Sequence, residues 1–296
     1  MSRKSPLWQR IVKWALASIL SLACLALAGI WYIGAWNILF PSHEHDTVAP
    51  AIPKDLHSPA VLVFSKTNSF RHKEGIEGGR AAIASIAVGR GWSTFFTENG
   101  AVFNSEDLKQ FQTVVFLNAS GDMLSEDQEQ VFQSWLEAGG GWIGLHAAGD
   151  GSHAEWQWYM DNLIGAEFTA HIMGPQFQEA TVVMESSDHA AVERLPETWS
   201  HTEEWYSWEK SPRINGFNIL AVLDENSYSP FQKMMGNERD LSMGDHPVVW
   251  TNCVGEGRTL YAAMGHTAEA FEKVEYRILL EDALAWTLGV KQGTCP

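Results

Sequence analysis

The chain has 296 residues, 45% of them apolar, enough for one large globular domain or two small ones. Lys and Arg number 20 against 36 Asp and Glu, a net charge of −16. A chain so acidic repels phosphate backbones, which argues against a nucleic-acid partner.

The N-terminus carries Arg3, Lys4, Arg10 and Lys13 and no acid. An apolar run follows from Trp14 to Phe40, in which Asn37 is the one strongly polar side chain. The run exceeds the roughly 20 residues that cross a bilayer as a helix. Trp31, Tyr32 and Trp36 would fall at its outer interface, and the basic flank would stay inside. Residues 1–40 therefore read as a membrane anchor or a signal segment. Ala26-Leu27-Ala28 offers a cleavage site, yet WYIGAWNILF continues apolar beyond it, which favours an uncleaved anchor. A lipid-bearing Cys24 is disfavoured by Ser21 three positions before it and by the apolar residues after it. Each reading puts the domain outside the cytoplasm, periplasmic or extracellular. Residues 41–57 hold Pro41, Pro50 and Pro53 without periodicity and read as a linker, whose His43, His45 and His57 are set aside.

Residues 58–296 then read as one α/β domain. AVLVFS (60–65) is a short apolar run of the kind that makes a buried parallel strand. A helix is expected over 73–90, with Ile76, Ile83, Ile86 and Ala87 on one face. STFFTE (93–98) and TVVFLN (113–118) are the next strands. Ser125 is a good N-cap for a helix that runs to a glycine stop, and WIGLHA (142–147) is the strand beyond it. Strands alternating with helices at this spacing predict a doubly wound parallel sheet. Past Gly165 the pattern is less regular: strands are expected at 180–185, 218–223, 247–252 and 258–264, and a helix at 276–288.

Ligands bind beyond the carboxyl ends of the strands in such sheets. Those positions hold Arg71 and His72, then Asn118 to Gly121, then His146 with Asp150, then Gly265-His266-Thr267. Taken singly, each histidine serves equally well to cap a strand or satisfy a loop carbonyl. Three together at strand ends point to a site. Gly139-Gly140-Gly141 precedes a strand and lacks the lysine of a phosphate loop, and there is no G-x-S-x-G elbow. For Cys253 and Cys295 two readings stand: a disulfide in an oxidising compartment, or two unpaired thiols.

GGGWIGLHAAGD followed by WYMDNLIGAEFTAH resembles the central signature of the ThuA-like (trehalose-utilisation) family. NSFRH (68–72), TEEWY (202–206), DHPVVW (245–250) and GEGRTLYAAMGHT (255–267) match its other blocks in order. The resemblance implies a three-layer α/β sandwich with a mostly parallel central sheet, flavodoxin-like and similar to class I glutamine amidotransferases. In those enzymes a G-x-C-x-G elbow holds a nucleophilic cysteine. Here Gly144-Leu145-His146-Ala147-Ala148-Gly149 puts His146 in that place, and Cys253 lies on another strand, which argues against thiolate chemistry. Glu203 stands where the family has Asp.

The resemblance also implies a sugar or an oxidised sugar derivative as ligand. His146, His72, Glu204 and His266 are the expected acid–base groups, and the same four could hold a divalent metal such as zinc. Against a metal stands the absence of a local H-x-x-x-H pair. Arg71, His171, Trp205, Tyr206 and Asp150 are the expected substrate contacts: Arg71 for a carboxylate or sugar oxygen, the two aromatics for stacking. The competing expectation is a non-catalytic carbohydrate-binding or sensing domain at the membrane.

Overall fold

The computed structural model describes residues 6–32, 36–185 and 188–293. The chain opens with α1 (Leu7–Tyr32) and the short α2 (Trp36–Leu39). The α/β region follows with β1 (Ala60–Phe64), α3 (Lys73–Arg90), β2 (Ser93–Thr97), α4 (Ser105–Leu108) and β3 (Thr113–Leu117). Next come α5 (Glu126–Glu137), β4 (Gly141–Leu145) and α6 (Gln157–Tyr159), which runs into a π-helical turn. Then come β5 (Phe168–His171), β6 (Gln178–Met184), β7 (Thr198–Glu203), β8 (Tyr206–Trp208) and β9 (Asn218–Asp224). The chain continues through β10 (Phe231–Met234), β11 (Asn237–Asp240), β12 (Pro247–Val254), β13 (Gly257–Ala262) and α7 (Val274–Thr287).

One nine-stranded sheet runs in the order β2-β1-β3-β4-β13-β12-β9-β6-β7. From β2 to β13 all neighbours are parallel. From β13 to β7 they are antiparallel. The expected mostly parallel centre is there, and β1 lies inside it, parallel to both its neighbours. The chain steps one way from β1 to β2 and the other way from β2 to β3. Right-handed crossovers therefore put α3 on one face and α4 and α5 on the other, which makes three layers.

Local chemistry explains these elements. Every residue of β1, β3 and β4 is buried, as continuous apolar runs between two helical layers must be. Gly91, at φ +69°, closes α3 and takes bonds to Ala87 and Val88. Ser125 and Gln128 form a capping box that starts α5. Phe116 sits at the centre of the core among Phe64, Phe103, Phe132, Trp142 and Tyr159. Tryptophan is largely a core residue here: Trp142, Trp205, Trp250 and Trp286 are fully buried.

α1 is exposed along its described length, and its most apolar 18-residue stretch has a mean hydropathy of 2.1, long and apolar enough to cross a membrane or serve as a signal sequence. It starts earlier than the apolar run suggested and takes in Arg10 and Lys13. Residues 41–57, expected as a linker, lie along the domain. His43 and His45 both meet Asp122, at 2.8 and 2.7 Å, and Asp46 meets Lys66 at 2.6 Å. The Cys253–Cys295 question falls on Cys295, outside the described residues.

Candidate functional site

Five strand ends converge at one edge of the sheet. β1, β3, β4 and β13 point the same way, and the alternation through β12, β9 and β6 turns β7 that way too. Three strands separate β7 from β13 in the sheet. Yet Gly265, just past β13, donates its N–H to Glu203 at the end of β7, at 2.6 Å. The antiparallel half therefore curls back over the carboxyl edge and brings the acids of β7 onto the histidines of the parallel half.

His146 follows β4 at a sharp elbow and has φ +48°, a left-handed conformation rare outside glycine. Two bonds hold that turn: Tyr261 Oη donates to the His146 carbonyl at 2.7 Å, and Ala147 N–H donates to Asn118 Oδ1 at 3.3 Å. Asn118 also donates to the Gly265 carbonyl at 2.9 Å, tying the end of β3 to that of β13. Gly265 has φ +122°, which only glycine adopts freely. Gly75 in the first turn of α3 lies so close to the Gly265 and His266 carbonyls that a Cβ there would clash. These contacts seat His72, at the start of α3, beside His266.

Four expected residues meet here. His146 Nδ1 bonds the Ala263 carbonyl at 3.0 Å, so Nε2 carries the lone pair. That Nε2 lies 3.1 Å from His266 Nδ1, 3.0 Å from Tyr206 Oη and 3.6 Å from Glu204 Oε2. His266 Nδ1 bonds Glu204 Oε2 at 3.0 Å. The His72 ring stands edge-on to both, with centroids 4.7 Å from His146 and 4.5 Å from His266. His171 Nδ1 reaches Glu204 Oε1 at 3.1 Å. Gln176 donates to the same oxygen at 2.5 Å.

Burial sets the protonation. It lowers His72 well below the usual histidine range and His146 to about 4, so both are neutral at pH 7. Burial works the same way on His266, but the hydrogen bond and charge of Glu204 outweigh it and raise its pKa. Burial alone would raise Glu204, and the His266 bond brings it down instead. Glu203 is fully buried too. Burial raises it, but the His201 imidazole beside it and the Gly265 N–H outweigh this and hold it at about 2.

Other expected contacts lie elsewhere. Arg71 is half exposed and grips Glu98 through two bonds of 2.6 and 3.1 Å, outside the cluster. Trp205 is wholly buried between His201 and Tyr228, and its indole donates to the Gln178 carbonyl at 2.9 Å. Tyr206 is buried with its hydroxyl on His146. The turn between β7 and β8 folds both aromatics inward, so neither offers a face for stacking on a sugar. Asp150 follows the elbow; burial raises its carboxyl, and it accepts the Ser152 N–H at 2.9 Å.

The sequence did not announce several supporting groups. Glu203 accepts the N–H groups of Gly265, His266 and Glu204. His246, from the DHPVVW block, lies between the Tyr206 carbonyl and the Glu225 carboxylate, each at 2.8 Å. Phe177 is exposed and its ring lies 4.9 Å from that of His266. The Asp-His-Pro triplet was the available signal for His246; nothing local marked Phe177.

A mostly parallel-sheet α/β protein with a histidine on a sharp left-handed turn after β4, and a carboxylate beside it, defines the class. The chain belongs to the ThuA family, described as trehalose utilisation, whose model matches residues 60–287. A ThuA-like protein from Bacteroides uniformis is similar at 25% identity and a TM-score of 0.67, over 81% of this chain and 95% of that one. A ThuA-like protein from Parabacteroides merdae shares the fold at 20% identity and a TM-score of 0.58, over 79% of this chain and 92% of that one. No curated protein matches the chain.

Proposed function

We propose that this protein acts on a sugar or an oxidised sugar derivative outside the cytoplasm, held at the membrane by α1. The observation that carries the reading is the convergence of His72, His146, Glu204 and His266 at the carboxyl edge of the sheet, with donor atoms within 4.8 Å of one another. The chemistry is acid–base, without a cysteine nucleophile. Neutral His146 accepts a proton; His266, whose pKa the Glu204 bond raises, is suited to donate one; the two nitrogens are 3.1 Å apart. Such a pair takes a proton from one sugar position and returns it at another, as a lyase, hydrolase or isomerase requires. Substrate approaches past His266 and His171, whose side chains are 16% and 27% exposed, whereas His146 is fully covered.

The test incubates the full chain in detergent with native and oxidised disaccharides. Turnover by the wild type and its loss in His146→Ala is the expected outcome. Tight binding without turnover would make the protein a carbohydrate-binding or sensing domain. Neither binding nor turnover across the panel would refute the sugar reading.

A further inference from the structure

Three donor atoms of the cluster lie at the mutual spacing of ligands around one cation. His146 Nε2 and His266 Nδ1 are 3.1 Å apart, His266 Nδ1 and Glu204 Oε2 are 3.0 Å apart, and the third edge is 3.6 Å. Zinc holds nitrogen and oxygen ligands at about 2.0–2.2 Å, so tetrahedral neighbours lie about 3.3–3.5 Å from each other. Each observed edge is within a few tenths of an ångström of that. A donor atom of His72 completes a set of four within 4.8 Å. His72 is only 6% exposed, and its Nδ1 is buried without a hydrogen-bond partner. A buried ring nitrogen without a hydrogen-bond partner, on a residue of this cluster, calls for an explanation, and a bound ligand is one.

Within the triangle one hydrogen, on His266 Nδ1, faces two acceptors, Glu204 Oε2 and His146 Nε2, and the Tyr206 hydroxyl, 3.0 Å from His146 Nε2, is the other donor to that nitrogen. A cation satisfies all three atoms at once. The outer contacts suit it as well: His146 Nδ1 is fixed on the Ala263 carbonyl, and Gln176 holds the other oxygen of Glu204. The missing H-x-x-x-H pair is no obstacle, since strand ends from both halves of the sheet deliver the ligands separately.

We propose that His72, His146, Glu204 and His266 bind one divalent transition-metal cation of the zinc class. The proposal rests on reading this cluster as the reacting centre, and with the cation bound it takes His146 and His266 out of the proton-transfer roles given above. The cation takes the place of the proton that the three atoms otherwise share, and polarises a hydroxyl or carbonyl oxygen of the sugar. Proton handling then passes to a group outside the four. His171 is placed for it, partly exposed and 3.1 Å from Glu204 Oε1.

The full chain in detergent is stripped with a chelator and titrated with Zn²⁺, and separately with Co²⁺ for its visible spectrum. Binding of one equivalent, with the intense Co²⁺ bands of low coordination, is expected. Loss of an outer-shell partner alone costs about 10–100-fold in affinity, so His146→Ala and Glu204→Gln should each weaken binding by about 100-fold or more. Glu204→Gln keeps the side chain's size, and its circular dichroism checks that the fold survives. The His43→Gln/His45→Gln double variant should bind like the wild type. No saturable site, or unchanged binding in both cluster variants, overturns the proposal. Sugar turnover that survives chelation removes the metal and leaves the function. One bound metal with no response to any sugar does the reverse.

Discussion

Replacing Glu203 by Gln tests whether a buried charge holds the site together. Glu203 is 1% exposed, and its carboxylate accepts Gly265 N–H at 2.6 Å, Glu204 N–H at 2.9 Å and His266 N–H at 3.3 Å. Its pKa falls from 4.5 to about 2 on folding. At about 1.4 kcal/mol per pKa unit this is about 3 kcal/mol in favour of the ionised form. Against the cost of burial, the His201 imidazole and the His146 ring contribute to this along with the Gly265 N–H. The sign is that of a depressed carboxylate. The contribution is complete above pH 4.5 and is lost as pH falls toward 2. Gln has the shape of the protonated acid. At pH 7 the variant should therefore melt about 6–12 °C below the wild type, at 2–4 °C per kcal/mol for a domain this size. Near pH 3 the gap should narrow. Calorimetry of both full-length proteins with chelator present makes the comparison. A gap under about 2 °C at pH 7, or one that stays constant down to pH 3, would refute the reasoning.

Other substitutions probe neighbouring claims. Tyr206→Phe removes the hydroxyl 3.0 Å from His146 Nε2 and should cost about 1 kcal/mol, a drop of about 2–4 °C in a melting curve. Phe116→Ala opens a cavity among Phe64, Phe132, Trp142 and Tyr159 and should cost about 3–5 kcal/mol by denaturant titration. Arg71→Ala breaks a half-exposed pair with Glu98 and should leave stability within about 0.5 kcal/mol. If Arg71 swings to a carboxylated sugar, calorimetry should show that ligand weakened and a neutral sugar unaffected. His146→Gly should be more stable than His146→Ala by about 1 kcal/mol, because φ is +48° there; equal melting temperatures would argue against a strained elbow.

The parallel half of the sheet was legible because burial on both faces makes strands continuous apolar runs. AVLVFS, TVVFLN and WIGLHA mark β1, β3 and β4 to within a residue or two. β7 was not legible. Its pattern alternates, exposed Thr198, Ser200 and Thr202 between buried Trp199, His201 and Glu203, and two of those three buried residues are polar. No hydrophobic period survives that. β8, β10 and β11 are three or four residues long, too short for periodicity to speak. The site divides the same way. His72, His146 and His266 follow legible strands and so could be placed at one edge. Glu204 was named from the family resemblance, and only the curl of the antiparallel half explains how an acid at the sheet's far strand reaches them. Trp205 and Tyr206 read as ligand platforms because aromatic rings stack on sugars, with an acidic turn that folds both aromatics inward as the alternative. Local sequence could not show that the turn after β7 faces inward.

The elbow after β4 links both halves of the sheet. The residue after β4 is held in a left-handed turn, φ +48°, and it carries an imidazole. An imidazole reaches further than a thiol, and its two nitrogens are fixed separately, one on the Ala263 carbonyl and the other toward His266 and Glu204. The strain of that turn serves to aim a lone pair. That lone pair needs a partner brought from elsewhere, which the curled antiparallel half supplies through Glu204. Glu203 then fixes the loop that presents His266, and His246 with Glu225 fixes the backbone of Tyr206. The histidine at the elbow is thus one of a set of converging donors, whose geometry depends on both halves of the sheet.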